Sequence, residues 1–159
     1  MEDLPNVPVF VMVAEEAQPL AMLGATVTSI ATSTQTGGAW SLVKYTAPPH
    51  YAGPPLHWHK HTMEAFYILE GTLAFTLDER TITASAGAFI LVPPGIAHTL
   101  FNPTAAPASY LAWFSPGGHE QYFQEVALLS GTETESVSSD ETILEALNQK
   151  YDQYVVPAV

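Results

Sequence analysis

The chain has 159 residues, the length of about one domain, and it contains no cysteine. The lack of cysteine excludes a disulfide framework, a thiolate metal site and a cysteine nucleophile. Sixteen acidic residues stand against four basic ones, and the resulting net charge of −12 argues against nucleic acid and anionic membranes as partners.

Short runs of β-branched and aromatic residues alternate with prolines and glycines, which is typical of an all-β sandwich or barrel. We place one hairpin turn at Glu70-Gly71 and a second around Asp78-Glu79-Arg80. Pro8 cannot donate to a sheet, so the first strand is expected at an edge. The predicted strands are Val7–Val13, Ala25–Ile30, Trp40–Thr46, Ala65–Leu69, Leu73–Leu77, Thr81–Thr83, Phe89–Val92, His98–Phe101 and Ser109–Phe114.

The C-terminal part has helical spacing of its apolar residues. We predict one helix over Gln121–Leu129 and another from Glu141 to about Tyr151, capped by Ser139 or Asp140. Gly131–Ser139 reads as a polar, acidic linker. The helices are expected to pack on the barrel or on a second subunit. We take this extension, about 118–155, as part of a single domain covering 1–159.

The first group of candidate site residues is His57, His59, His61 and Glu64. Residues i and i+2 of a strand point to the same face, so His57 and His59 can aim at one point. In one continuous strand, Glu64 would point to the face opposite His57 and His59. A turn between His61 and Glu64 must therefore interrupt the strand if Glu64 is to point to the same side. Imidazole and carboxylate ligands together suit a divalent transition metal.

The second group follows the turn Pro93-Pro94-Gly95, where His98 opens the returning strand. A histidine behind such a turn is a natural last ligand, and Leu100 and Asn102 would share its face. A lone histidine is more often a surface or hydrogen-bonded core residue, and Glu64 alone could be a solvated hairpin residue. The spacing of the whole set is what favours a metal site.

These residues resemble the two motifs of the cupin superfamily, within 53–102. The second motif, G-x5-P-x-G-x2-H-x3-N, is matched by Gly87, Pro93, Gly95, His98 and Asn102. The first is matched by His57, His59, Glu64 and Gly71, although fewer residues than usual separate Gly53 from His57.

The resemblance implies a double-stranded β-helix, or jelly-roll, barrel. It also implies His57, His59, Glu64 and His98 as ligands of a divalent metal, which could be Fe, Mn, Ni, Co, Cu or Zn. Cupins of this size usually form homodimers, so we expect one here. Val7–Val13 and the tail after Tyr154 are candidate segments for contact between subunits.

A shorter stretch, Ser115–Phe123, is similar to single-domain cupins that resemble quercetin dioxygenase. Those enzymes open the heterocycle of a flavonol with dioxygen at a metal centre. The resemblance implies a metal-dependent dioxygenase acting on a small phenolic or enolic, flavonol-like molecule in an apolar pocket. The alternative is a non-oxidative cupin: an isomerase, a lyase, or a module that binds or senses a small molecule.

Glu64 has two roles that conflict, since metal binding keeps a carboxylate ionised whereas a general base needs a raised pKa. Our hypothesis is that Glu64 is a loose ligand that moves to take a substrate proton. His61 is expected at the rim of the site, His50 at the surface, and His119 in a structural role. The N-terminus lacks the basic region of a signal peptide, so a cytoplasmic protein is expected.

Overall fold

The structure, a computed structural model, describes residues 9–13, 17–131 and 141–157. In these ranges the strands are β1 (Pro19–Met22), β2 (Ala25–Ala31), β3 (Ser41–Ala47), β4 (His57–His59), β5 (Met63–Glu70), β6 (Thr72–Leu77), β7 (Arg80–Ser85), β8 (Phe89–Val92), β9 (His98–Phe101), β10 (Ala108–Ser115) and β11 (Gln153–Val155). The helices are α1 (His119–Gly131) and α2 (Glu141–Lys150).

The strands form two antiparallel sheets with the core between them. One sheet has the order β1-β2-β3-β10-β5-β8, and the other has the order β11-β4-β9-β6-β7. Alternate residues of β3, including Val43 and Tyr45, face the core together with Phe66 and Ile68 of β5. This arrangement confirms the predicted jelly-roll class.

The C-terminal helices pack on the chain's own barrel. Tyr122, Phe123 and Val126 of α1 and Leu147 of α2 are buried and belong to the same core as the sheets. In the described part of the chain, neither helix is long and apolar enough to cross a membrane.

Most predicted elements are confirmed, and β8 and β9 have the predicted bounds. The remaining confirmed strands and α1 differ from the prediction by one or two residues at one or both ends, whereas β1 and β11 were not predicted. The predicted cap of α2 and residues 132–139 of the predicted linker lie outside the described residues.

Two strand-level predictions are wrong. Residues 9–13, the described part of the first predicted strand, are not a strand, because the exposed Val9 and Val11 have no neighbouring strand to pair with. The turn at Glu70-Gly71 does not close a hairpin. β5 pairs with β10 and β8, whereas β6 pairs with β7 and β9, so Gly71 carries the chain from one sheet to the other.

The loop before β4 is anchored to β9 and to the turn that follows it. Gly53 has a φ of +81°, and a Cβ atom there would lie 1.7 Å from the carbonyl oxygen of Leu100. Asn102 donates hydrogen bonds to the carbonyl oxygens of Pro48 and Ala106, at 2.9 and 2.8 Å. These contacts fix where the chain enters β4. They do so even though fewer residues separate Gly53 from His57 than in the usual motif.

We predict that Gly53→Ala destabilises the protein far more than Gly24→Ala does. Gly24 also has a positive φ, +85°, but a Cβ atom there meets nothing within 4 Å. Both variants carry the left-handed backbone cost of about 1–2 kcal/mol, and Gly53→Ala adds a clash with backbone. Urea unfolding should show a loss above about 3 kcal/mol for Gly53→Ala. Equal losses in the free energy of unfolding for the two variants would contradict the close packing of Gly53 against Leu100.

Candidate metal centre

The structure brings together the four side chains that the sequence selects as metal ligands. His57, His59, Glu64 and His98 are all buried, and one candidate ligand atom from each lies within 4.8 Å of the others. Two ligands on opposite sides of one ion, each at about 2.0–2.2 Å, would be about 4.0–4.4 Å apart. The set therefore needs only a small contraction to hold a divalent cation.

Strand pairing explains this convergence. His57 on β4 lies opposite His98 on β9, and His59 points to the same side as His57. A bend at residues 60–61 then carries the chain into the other sheet, where Glu64 lies on β5. The predicted interruption of the strand before Glu64 is thus present. The histidines of the site come from one sheet and its carboxylate from the other.

Backbone carbonyl groups fix the orientation of all three histidine rings. A carbonyl oxygen can only accept a hydrogen bond, so the Nδ1 atom that contacts it must carry the hydrogen. The Nε2 atoms are therefore left free to face the centre, as metal-binding histidines require. The acceptors are Pro55 for His57 at 2.8 Å, Ile96 for His98 at 2.9 Å and Asp152 for His59 at 2.9 Å.

Glu64 lies directly between two of these rings. Its Oε2 atom is 3.1 Å from Nε2 of His59 and 2.8 Å from Nε2 of His98. Burial alone would raise the pKa of Glu64, but the hydrogen bonds with His59 and His98 outweigh it and hold this pKa well below its usual value. An ionised carboxylate and an Nε2 lone pair repel each other unless a proton or a cation lies between them.

The histidines do not share one electrostatic environment. Burial and the neighbouring His98 lower the pKa of His57 to about 4. Burial also acts to lower the pKa of His98, but its hydrogen bond to Glu64 raises that pKa overall. At neutral pH, His57 therefore offers an unprotonated nitrogen. A divalent cation would satisfy this nitrogen, the other two Nε2 atoms and the carboxylate together, so the donor set fits a metal.

The remaining histidines lie outside the donor set. His61 and His50 are exposed, as predicted. His119 is buried; its ring stacks on Phe114 with centroids 4.3 Å apart and meets the edge of His59 at 5.2 Å. Burial lowers the pKa of His119 to about 3, so its ring is neutral. It supports the ring of His59 by packing, which agrees with the predicted structural role.

Asp152 is the main residue of the site that the sequence analysis missed. Its carboxylate accepts hydrogen bonds from the backbone N–H groups of Lys60, His61 and Thr62, at 2.8–3.0 Å, and from the Thr62 hydroxyl at 2.9 Å. Its own carbonyl oxygen orients His59. Asp152 therefore ties the segment between α2 and β11 to the bend that separates His59 from Glu64. No local pattern links positions so far apart in sequence.

A small cavity lies beside the donors. Its volume is about 50 Å³, which is room for a few water molecules. Three of the donors, His57, Glu64 and His98, contribute to its wall. The rest of the wall is mainly aromatic and includes Tyr45, Tyr51, Phe66, Tyr110, Phe114 and Tyr122.

Comparison with known proteins agrees with this fold. Residues 43–114 match the cupin domain family, and this range contains all four donors. The domain match supports a relationship to the cupin superfamily, and the structural neighbours show the same fold. No curated protein sequence matches the chain at a significant level.

Three solved structures illustrate the similarity. KdgF from Halomonas sp. has a TM-score of 0.64 at 16% identity, covering 72% of this chain and 99% of that one. The nucleoside dehydratase Pac13 from Streptomyces has a TM-score of 0.57 at 18% identity, covering 72% and 88%. A variant of Bacillus subtilis oxalate decarboxylase has a TM-score of 0.57 at 27% identity, covering 65% of this chain but only 29% of that longer one. The similarity to quercetin dioxygenase stays a prediction.

We predict near-stoichiometric metal in freshly purified protein and its loss in His59→Ala and His98→Ala. Each variant removes one of the inward nitrogen donors. His61→Ala is the matched control, because His61 is exposed two residues beyond His59 and should leave the metal content unchanged. Elemental analysis gives the readout. Equal metal content in the parent and both donor variants would show that these residues are not ligands.

We also predict that Asp152→Ala weakens metal affinity by about 10- to 100-fold, because it removes the carboxylate that holds the bend between His59 and Glu64, although the backbone carbonyl that orients His59 remains. Asp152→Asn should lose less, since asparagine keeps a side-chain oxygen and tolerates the φ of 59° at this position. Chelator competition measures the affinity, and circular dichroism checks the fold. Folded variants that bind metal as tightly as the parent would exclude this positioning role.

Proposed function

We propose that this cupin-superfamily protein is a metal-dependent dioxygenase that acts on a small phenolic or enolic molecule. The observation that carries the proposal is the buried set of three histidines and one carboxylate beside a mainly aromatic cavity. Three imidazoles and one carboxylate leave open positions on a six-coordinate metal. A substrate oxygen could occupy one of them, so the donor set supports chemistry rather than a closed structural site.

The division of work between metal and protein follows from the donors. A bound redox-active metal would supply Lewis acidity and a path for electrons to dioxygen. The chain itself holds the imidazole rings in one orientation through Nδ1–H hydrogen bonds to backbone carbonyls. The aromatic wall excludes bulk water, which strengthens electrostatic interactions at the reacting atoms.

Glu64 is the proposed base for the substrate hydroxyl. Its pKa is low because His59 and His98 bond to it, whereas burial acts in the opposite direction. If the carboxylate leaves these partners, the effect of burial remains, and its pKa rises toward the range of an effective base. The same movement that frees Glu64 from its neighbours therefore prepares it to accept a proton.

We predict oxygen consumption when the metal-free protein is reconstituted with a suitable ion and given at least one of three probes, namely a flavonol, a catechol and a small enolic acid. Iron, manganese, cobalt, nickel and copper should each be restored separately, because nitrogen and oxygen ligands accept most of these ions. His98→Ala should abolish the uptake, and His61→Ala should preserve it. Absence of oxygen uptake with every metal, in protein shown to contain it, would contradict the dioxygenase and favour an isomerase, a lyase or a binding module.

We further predict that Glu64→Gln lowers kcat by about 10²- to 10⁴-fold, the usual contribution of a general base. Glutamine is close in shape but cannot accept the proton, so the acidic limb of the pH–rate profile should also disappear. The assay needs saturating metal, with bound metal measured in both proteins, since Glu64 is also a predicted ligand. Unchanged turnover together with an unchanged pH profile would exclude Glu64 as the base.

A further inference from the structure

Three buried tyrosines line the cavity beside the donors without forming hydrogen bonds through their side chains. Tyr45 on β3 is 8% exposed, Tyr110 on β10 is 2% exposed, and Tyr51 in the loop before β4 is 7% exposed. Within the described ranges, none of these three hydroxyls has a hydrogen-bond partner. Buried hydroxyl groups are usually paired, so three unpaired ones at a single cavity need an explanation.

Tyr122 belongs to the same cavity wall, but its hydroxyl group has hydrogen-bond partners within the protein. Its hydroxyl donates to Oδ1 of Asn148 at 2.9 Å and lies 3.3 Å from Nε2 of Gln153, which donates to it. Tyr122 thereby connects α1 to α2 and β11. Neither Tyr45 nor Tyr110 makes any such connection among the described residues.

The unpaired hydroxyl oxygens are not fully enclosed. Ser41 Oγ is the only side-chain polar atom in the described residues that is both fully enclosed and without a partner. The oxygens of Tyr45, Tyr51 and Tyr110 therefore retain accessible surface, and all three residues belong to the wall of this cavity. They are available to a molecule inside it.

Strand pairing holds two of these tyrosines in place. Tyr45 and Tyr110 are direct cross-strand partners, and their rings stack 4.9 Å apart at an interplanar angle of 4°. Burial raises the pKa of both well above 10, and the nearby Glu64 carboxylate raises it further. Both hydroxyls therefore carry their hydrogens at neutral pH and can donate them.

The size of the cavity restricts the ligand. Sites for drug-sized molecules have volumes of about 300–1,000 Å³, whereas this cavity has about 50 Å³. A fused-ring flavonol does not fit into that space. A short molecule with several oxygen atoms does, and its oxygens match the three hydroxyl donors.

We propose that Tyr45, Tyr51 and Tyr110 bind the substrate, and that the substrate is a short 2-oxo carboxylic acid that can form an enol, or a short 2-hydroxy acid of similar size. This inference rests on the proposed metal-dependent function and narrows its substrate class. A divalent cation together with the Glu64 carboxylate leaves one positive charge in the site. One carboxylate or enolate of the ligand neutralises that charge, while the tyrosines donate to its other oxygens.

The test measures binding, without oxygen, to the full metal-loaded chain. Calorimetric titration with pyruvate, 2-oxobutanoate and glycolate should show saturable binding of at least one of these probes, and 3-hydroxyflavone should show none. Tyr45→Phe, Tyr51→Phe and Tyr110→Phe should each weaken probe binding by about 10- to 100-fold, as expected for hydrogen bonds to a charged ligand. Tyr67→Phe is the matched control, because Tyr67 lies on β5 but is 39% exposed and outside the cavity wall.

Bound metal is measured in every variant, and the phenylalanine variants should keep the parent's metal content. The inference is overturned if the metal-loaded parent binds none of the three acids, or if 3-hydroxyflavone binds more tightly than they do. It is also overturned if the three phenylalanine variants bind the acids as tightly as Tyr67→Phe does. Tyrosine-dependent binding without any oxygen uptake would support the ligand class while contradicting the dioxygenase.

Discussion

The candidate site depends on three hydrogen bonds from imidazole Nδ1–H groups to backbone carbonyl oxygens. The acceptors come from three separate segments: the loop before β4, the turn before β9, and the residue that follows the C-terminal helices. Each bond leaves one Nε2 atom free, and strand pairing directs these atoms toward Glu64 on the opposite sheet. A buried carboxylate is costly unless it is paired, so this interaction also links the two sheets across the core.

The ligand set could be found from the sequence because its signals are local. His57 and His59 have strand spacing, and His98 follows a turn that proline and glycine define, so short-range geometry is enough to group them. The same proline and glycine residues explain why the bounds of β8 and β9 were predicted correctly. A glycine with positive φ between two apolar runs, however, is compatible both with a hairpin turn and with a connection between two sheets. Gly71 lies in such a connection, and only the partners of β5 and β6 distinguish the two.

Other parts of the site could not be predicted because they depend on tertiary contacts. Asp152 lies 90 to 92 residues from the backbone N–H groups that donate hydrogen bonds to it, and β11 is too short to carry a strand pattern of its own. Val155, which was expected in a contact between subunits, pairs within the chain with His57. Tyr45 and Tyr67 illustrate the same limit. Both lie on strands. Only the packing of one sheet on the other places Tyr45 beside the candidate metal ligands and leaves Tyr67 partly exposed, outside the cavity wall.

The features that determine the fold are separate from those that determine the reaction. Gly53 and Gly71 allow close backbone contacts that a Cβ atom would prevent, and Asn102 ties the loop before β4 to the turn after β9, so these residues fix backbone positions. The four candidate ligands fit a cation but leave the reaction open, because one donor set supports several kinds of chemistry. What remains to select a substrate is the wall facing the donors. There the small volume and the hydroxyls without partners act together, since a cavity that excludes large molecules also lets each tyrosine reach the ligand directly.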